Sequence, residues 1–190
     1  MDILKAVQMF RPWNEQEARD REELLRRLAS GEPLLTRENA SAHLTASGWV
    51  VSPDRRQVLM AYHNLYNSWS WLGGHADGDP DLLAVALREV REESGLAEVH
   101  PVTPELYSLE ILTVDGHEKH GRYVSSHLHL NATFLLEADP ALPIRPKPDE
   151  NSRVAWFGLE EAVAASTEPW FQARVYGKLN AKLEQFPAEG

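Results

Sequence analysis

Apolar and polar positions along this chain follow two periods, and the change from one to the other divides it into elements. In residues 14–29, Leu24, Leu25 and Leu28 stand one to four positions apart among Arg and Glu. That spacing predicts a surface helix docking by a short stripe, with Asn14 as its N-cap. Gly31-Glu32-Pro33 ends it. From residue 42 the period changes to strand. Residues 46–51 and 58–62 predict a hairpin around a turn at 52–56, and a polar loop at 63–68 leads to a short strand at 69–72. A strand is expected at 107–114. Residues 123–136 alternate most clearly, with Val124, Leu128, Leu130, Ala132, Phe134 and Leu136 on one face and Ser125, His127, His129, Asn131 and Thr133 on the other. Prolines exclude regular structure over 140–148. A strand at 153–157 and helices at 159–165 and 169–185 complete the chain. The last helix has Trp170, Phe171, Val175, Leu179, Leu183 and Phe186 as its apolar stripe.

Between these elements, residues 73–96 read as a glycine loop, a helix and a stop. Asp79 suits the N-cap, Pro80 the first helical position, and Asp81 the positive end of the helix dipole. Gly95 is placed to end the helix in a left-handed conformation. Glu89, Glu92 and Glu93 stand at i, i+3 and i+4, so their carboxylates share a face. Like charges at that spacing cost a few tenths of a kcal/mol per pair. A divalent cation reverses the sign, because hard cations prefer several carboxylate oxygens. Arg88 and Arg91 are interleaved, and Arg88 can pair with Glu92 at i+4. On charge alone, such a helix end is ordinarily a solvated face.

Composition narrows the choice. The 190 residues suit one domain, residues 1–190, with 14–29 as a docking helix and 42–186 as the core. The absence of cysteine excludes disulfides and thiolate metal sites. No apolar run reaches the length of a signal-peptide core or a membrane span, so a cytoplasmic location is expected. A formal charge of -10 argues against a nucleic-acid polymer or an anionic membrane as partner. An anionic small substrate then needs a cation or a local basic cluster. The loop at 115–122, with His117, Lys119, His120 and Arg122, is such a cluster and a candidate phosphate contact.

Residues 73–96 resemble the Nudix hydrolase signature: Gly, five residues, Glu, seven residues, then Arg-Glu-apolar-x-Glu-Glu-x-Gly-apolar. Gly74 opens it here, and Arg88-Glu89-Val90-Arg91-Glu92-Glu93-Ser94-Gly95-Leu96 closes it in register. The family's upstream Glu falls on Pro80, which leaves Asp79 or Asp77 as the source of that carboxylate. A Trp-rich strand before Gly73 and an apolar strand ending in Trp156 extend the resemblance over most of residues 42–185.

The resemblance implies an α/β fold, the Nudix α/β/α sandwich with a mixed sheet between helices, here with an extra N-terminal helix. It implies hydrolysis of a pyrophosphate bond in a nucleoside diphosphate joined to another moiety, dependent on Mg²⁺ or Mn²⁺. The substrate would be a small phosphorylated molecule, a nucleotide first of all. Glu92 and Glu93 would ligate the metal, and Glu89 would be a ligand or the base acting on water. The Gly73 carbonyl and Glu150 would complete the metal's ligands, and Arg88 would orient a glutamate. His75, Arg122, His127, His129 and Asn131 would meet substrate, the polar face of 123–136 lining the cleft. His127 and His129 are also half of a metal site, for which the sequence shows no third ligand. Two other classes stay open: a nucleotide sensor without hydrolysis, and a cation-binding protein without a nucleotide. The intact glutamate triad favours hydrolysis.

Overall fold

The structure, a computed structural model, describes residues 2–119 and 121–188, with the backbone alone at Lys119. Two helices, α1 (Ile3–Met9) and α2 (Glu15–Ser30), precede β1 (Ala42–Val51) and β2 (Gln57–His63). Short strands β3 (Ser68–Ser70) and β4 (Leu72–His75) lead into α3 (Leu82–Ser94). Then come β5 (His100–Pro101), β6 (Ser108–Val114), β7 (His117–Lys119), β8 (Arg122–Val124), β9 (His127–Glu137) and β10 (Asn151–Gly158). Helix α4 (Leu159–Ala165) and a helical segment ending at Gln185 close the chain.

The main sheet runs β10-β2-β1-β9-β5, with β3 beside β2, β4 beside β1 and β6 beside β9. Strands β1 and β9 are parallel over their length, and the other pairs are antiparallel. The sheet is therefore mixed. On one face, Leu44, Ala46 and Val50 of β1 and Leu130, Phe134 and Leu136 of β9 meet Leu82, Val85, Ala86 and Val90 of α3. A Cβ at Gly48 would lie 2.8 Å from side-chain atoms of both Val90 and Leu136, so glycine lets the helix approach the sheet. On the other face, Trp49, Val51, Met60 and Leu135 pack with Val175, Tyr176, Leu179 and Leu183. Helices thus cover both faces, and the sandwich expected from the resemblance is present.

Several boundaries differ from the expectations, each for a local reason. Helix α3 starts at Leu82, because the N-cap is Asp81, whose carboxylate accepts from the Ala84 amide. Asp79 caps one step earlier, accepting from the Asp81 amide at 2.9 Å, and Pro80 lies outside the helix. The strand expected at 69–72 divides at Trp71, since β3 pairs with β2 whereas β4 pairs with β1. The strand expected at 123–136 divides too: β8 leaves the main sheet to form a ribbon with β7. Helix α1 was not expected. Arg21 holds it to α2 by donating to the carbonyls of Val7 at 2.8 Å and Gln8 at 2.6 Å.

Helix α2 caps at Asn14 as expected, and Leu24 is buried with Leu25 and Leu28 against the core. Its docking is polar as well: Asp20 accepts from the Ile111 amide of β6. The C-terminal helix changes hydrogen-bond register. After α5 (Pro169–Phe171) a π-helical stretch (Gln172–Tyr176) gives way to α6 (Gly177–Lys182) and a closing 3₁₀ turn (Leu183–Gln185). Trp170 falls outside the stripe and is exposed.

Candidate active site

Strand β4 and helix α3 build the acidic site. Gly74 faces Glu89 so closely that a Cβ would lie 2.6 Å from its carboxylate, and a Cβ on Gly73 would lie 2.4 Å from the Ala46 carbonyl oxygen. Backbone excludes a side chain at Gly73, and at Gly74 a side chain would displace the Glu89 carboxylate. The Gly73 amide donates to Glu93 at 3.0 Å. Asn151 fastens the next segment: its amide donates to the Glu93 carbonyl at 3.1 Å, and its side-chain oxygen accepts from the Lys147 amide at 3.0 Å. This connection carries Glu150 to the helix end. Lys147 Nζ then lies 3.3 Å from Glu92 and 3.0 Å from Glu150.

The glutamates are held against their charge. Burial, seconded by the charges of Glu150 and Glu89, pushes the Glu93 carboxyl up to about 8, against the Gly73 hydrogen bond. Burial also raises Glu89, with Glu92 and Glu150 adding and Arg88 opposing. Arg88 donates to Glu89 at 3.1 Å and lies 3.6 Å from Asp79. The i+4 pairing of Arg88 with Glu92 is replaced by this bridge, and Glu92 goes to Lys147. An all-oxygen donor set beside two glycines that leave space for close approach fits a hard divalent cation.

The two loop aspartates are engaged elsewhere. Asp77 accepts a bidentate pair from Arg37 at 2.7 and 2.5 Å, and Asp79 is divided between the Asp81 amide and Arg88. Neither replaces the glutamate missing at Pro80 as a free carboxylate. Arg37, Lys147 and Asn151 were not anticipated. The positive charge of Arg37 reaches Glu89, Glu150, His43 and His129. Asn151, directly after Glu150, carried the nearest sequence signal. Arg37 carried none, since it acts across forty residues, and Lys147 reaches Glu150 three residues on but Glu92 only across fifty-five.

The polar face of β9 is buried at His127, Asn131 and Thr133 and partly exposed at His129. Asn131 is buried, and all four of its hydrogen-bonding positions are filled. Its oxygen accepts from Thr45 and Ser47 at 2.9 Å each, and its amide donates to Glu110 at 3.2 Å and Thr133 at 3.0 Å. Asn131 is therefore a sheet-face tie and has no atom left for substrate. His127 and His129 share this face with His43 and His75, because His43 pairs with His129 and Thr45 pairs with both His75 and Asn131 in register. Successive residues of β4 point to opposite sides, so Gly74 faces Glu89 while His75 faces the other histidines. Arg122 is exposed on the β7–β8 ribbon, and among the described residues no contact brings it to the glutamates. His117 bonds to the Asp115 carbonyl, and His120 lies outside the described residues.

The sequence model of the NUDIX domain matches residues 42–179. No curated protein matches the chain. Among solved structures, a Nudix hydrolase from M. smegmatis is similar at 17% identity and a TM-score of 0.55, covering 84% of this chain and 99% of its own. The E. coli dihydroneopterin triphosphate pyrophosphohydrolase is similar at 16% and 0.53, covering 75% and 93%. A C. elegans Ap4A hydrolase is similar at 16% and 0.50, covering 75% and 96%. At these identities the likeness shows the fold. The domain match spans most of the chain and contains both the glycine turn and the glutamate helix, and the chain belongs to the Nudix hydrolase family.

Proposed function

We propose that this chain hydrolyses a pyrophosphate bond in a small nucleoside diphosphate derivative, with Mg²⁺ or Mn²⁺ as cofactor. The observation that carries this reading is the convergence of Glu89, Glu92, Glu93 and Glu150, with Lys147 and Arg88 as their ion-pair partners among the described residues. Glu92 and Glu93 would hold the cation, joined by Glu150 and the Gly73 carbonyl, which leaves Glu89 as the base. When bound, the cation supplies charge against the phosphate oxygens and acidifies water.

The chain's own residues do the rest. Glu89, whose proton affinity is raised by burial, accepts the proton of the attacking water. The water oxygen bonds to phosphorus, the bridging P–O bond breaks, and the released phosphate carries the bond's electron pair. Arg88, anchored on Asp79, keeps Glu89 oriented. Lys147 and Arg37 provide the positive charge that meets the substrate's phosphates.

The test is hydrolysis of a nucleotide panel, with dihydroneopterin triphosphate and Ap4A added, read as release of the two phosphorylated cleavage products by anion-exchange chromatography. Release should need Mg²⁺ or Mn²⁺ and should stop in a Glu92→Gln/Glu93→Gln variant. Nucleotide binding without release at any metal concentration would replace this reading with that of a sensor.

A further inference from the structure

Four imidazoles gather on the sheet face that turns away from α3, and the carboxylate chemistry uses none of them. Ring centroids lie 5.0 Å apart for His43 and His75, 5.1 Å for His43 and His129, and 4.8 Å for His75 and His129. One ring nitrogen from each of His43, His75 and His129 falls within 4.8 Å of the other two. These histidines come from three strands, β1, β4 and β9, so the sheet fixes their backbones. The sequence pairs His129 with His127, whereas in the fold two other histidines, His43 and His75, join His129 and His127 stands beside the group.

The hydrogen bonds around the cluster set the tautomers. His43 Nδ1 is 3.1 Å from the Asn39 carbonyl, which only accepts, so Nδ1 carries the proton. Its Nε2 therefore presents a lone pair. That nitrogen is buried, the residue is 5% exposed, and among the described residues Nε2 has no hydrogen-bond partner. A buried acceptor left without a donor needs a reason. His127 Nδ1 is likewise held by the Ser125 carbonyl at 2.8 Å, and its Nε2 lies 3.2 Å from His129 Nε2. His129 must donate there, which leaves its other nitrogen with a lone pair. A ligand imidazole whose second N–H is held by a fixed acceptor is the usual outer shell of a histidine metal site.

From this geometry we infer that His43, His75 and His129 form a second metal site, for a late transition divalent cation such as Zn²⁺, Co²⁺ or Ni²⁺. Three imidazoles without a carboxylate select these ions over Mg²⁺, whose preference is for oxygen. Zn–N bonds of about 2.0–2.1 Å place tetrahedral ligand atoms roughly 3.3–3.4 Å apart, so the rings close in on binding by side-chain rotation. His127 acts as a positioning residue through its bond to His129. The fourth coordination position is left for water. This site is independent of the hydrolase reading, because β4 separates it from the glutamates: Gly74 faces Glu89 and His75 faces away.

The test uses the full chain without a histidine tag, stripped by chelator and returned to buffer with millimolar Mg²⁺. Metal analysis after dialysis against Zn²⁺ gives stoichiometry, and Co²⁺ titration reads coordination through visible absorption. One ion per chain is expected despite the Mg²⁺, with the intense visible bands of tetrahedral cobalt. The Glu92→Gln/Glu93→Gln variant should keep this ion. His43→Gln and His75→Gln should each weaken it at least 100-fold, and His127→Gln by about 10-fold, the scale of outer-shell partners. Circular dichroism of the metal-free variants checks folding, and the half-exposed His75 keeps the test open where His43→Gln fails to fold. Absence of a bound ion would overturn the proposal. So would an ion lost in the glutamate variant and retained in the histidine variants.

Discussion

Two groups of acidic side chains leave solvent in this protein, and they are treated in opposite ways. Under the C-terminal helix, Glu17 and Glu110 meet Lys178 and Lys182. Lys178 lies 2.8 Å from Glu110 and 3.3 Å from Glu17, and Lys182 lies 2.7 Å from Glu17. Ser108, Asn131 and Thr133 fill the remaining acceptor positions. Two carboxylates face two ammonium groups, and the set is complete within the protein. At α3, by contrast, four carboxylates share Lys147 and Arg88, and Glu93 has a backbone amide as its hydrogen-bond partner. The titration of the two groups follows. Burial works against Glu17, but Lys182, Lys178 and hydrogen bonds outweigh it and lower the carboxyl, whereas burial prevails at Glu93. A balanced buried group anchors α2 and the last helix to β6. An unbalanced one is short of positive charge within the chain's described residues.

Four measurements sharpen or break this contrast. The largest effect is expected from Lys178→Met, which strands Glu110 and half of the charge facing Glu17. Breaking a buried pair by removing one partner costs about 3–5 kcal/mol, read as a lower urea midpoint. An unchanged midpoint would mean that the network is not the anchor. Glu89→Gln should instead leave the midpoint nearly unchanged and lower turnover about 10²–10⁴-fold, the range of a lost general base.

The third measurement separates the groups by pH in the metal-free chain. Glu93 is raised, so its folded form keeps a proton that the unfolded chain releases. Its contribution is present below the ordinary glutamate value and lost as pH rises towards about 8. Glu17 is lowered, so its contribution is present above the ordinary value and lost as pH falls through its folded value. Stability should therefore decline from mildly acidic to mildly alkaline pH, and Glu93→Gln should flatten that decline while leaving the acid-side loss intact. Added Mg²⁺ should flatten it too, since a bound cation favours the charged carboxylate. The smallest effect concerns Asp79. Asp79→Asn keeps an acceptor for the Asp81 amide but weakens the hold on Arg88, so turnover should fall severalfold with the melting temperature unchanged. Full activity would show that Glu89 keeps its orientation without Asp79.

Much of the site was legible in the sequence because it is local. Glu89, Glu92 and Glu93 lie on one helix, where spacing alone decides which side chains share a face, and Gly95 ends the helix in the left-handed conformation its position required. The alternation in β9 likewise told which residues point together. It did not tell what covers them. His127 and His129 meet histidines, whereas Asn131 and Thr133, on the same face, meet Glu110 and, through it, a lysine from the far end of the chain. Period fixes direction, and the neighbour that arrives in that direction is a property of the packed sheet.

The sequence by itself determined the helix, its carboxylates, the glycine turn and the strand alternation, since each depends on contacts within a few residues. Tertiary structure alone decided which charges are compensated. Arg37 reaches Asp77, Lys147 reaches Glu92 and His43 reaches His75 and His129 only after the chain has folded back on itself. Burial, which raises Glu93 and keeps His129 neutral, is likewise set by whatever the whole fold places on top of a residue. Coulomb and desolvation energies depend on distance and surroundings in space, and no local spacing encodes those.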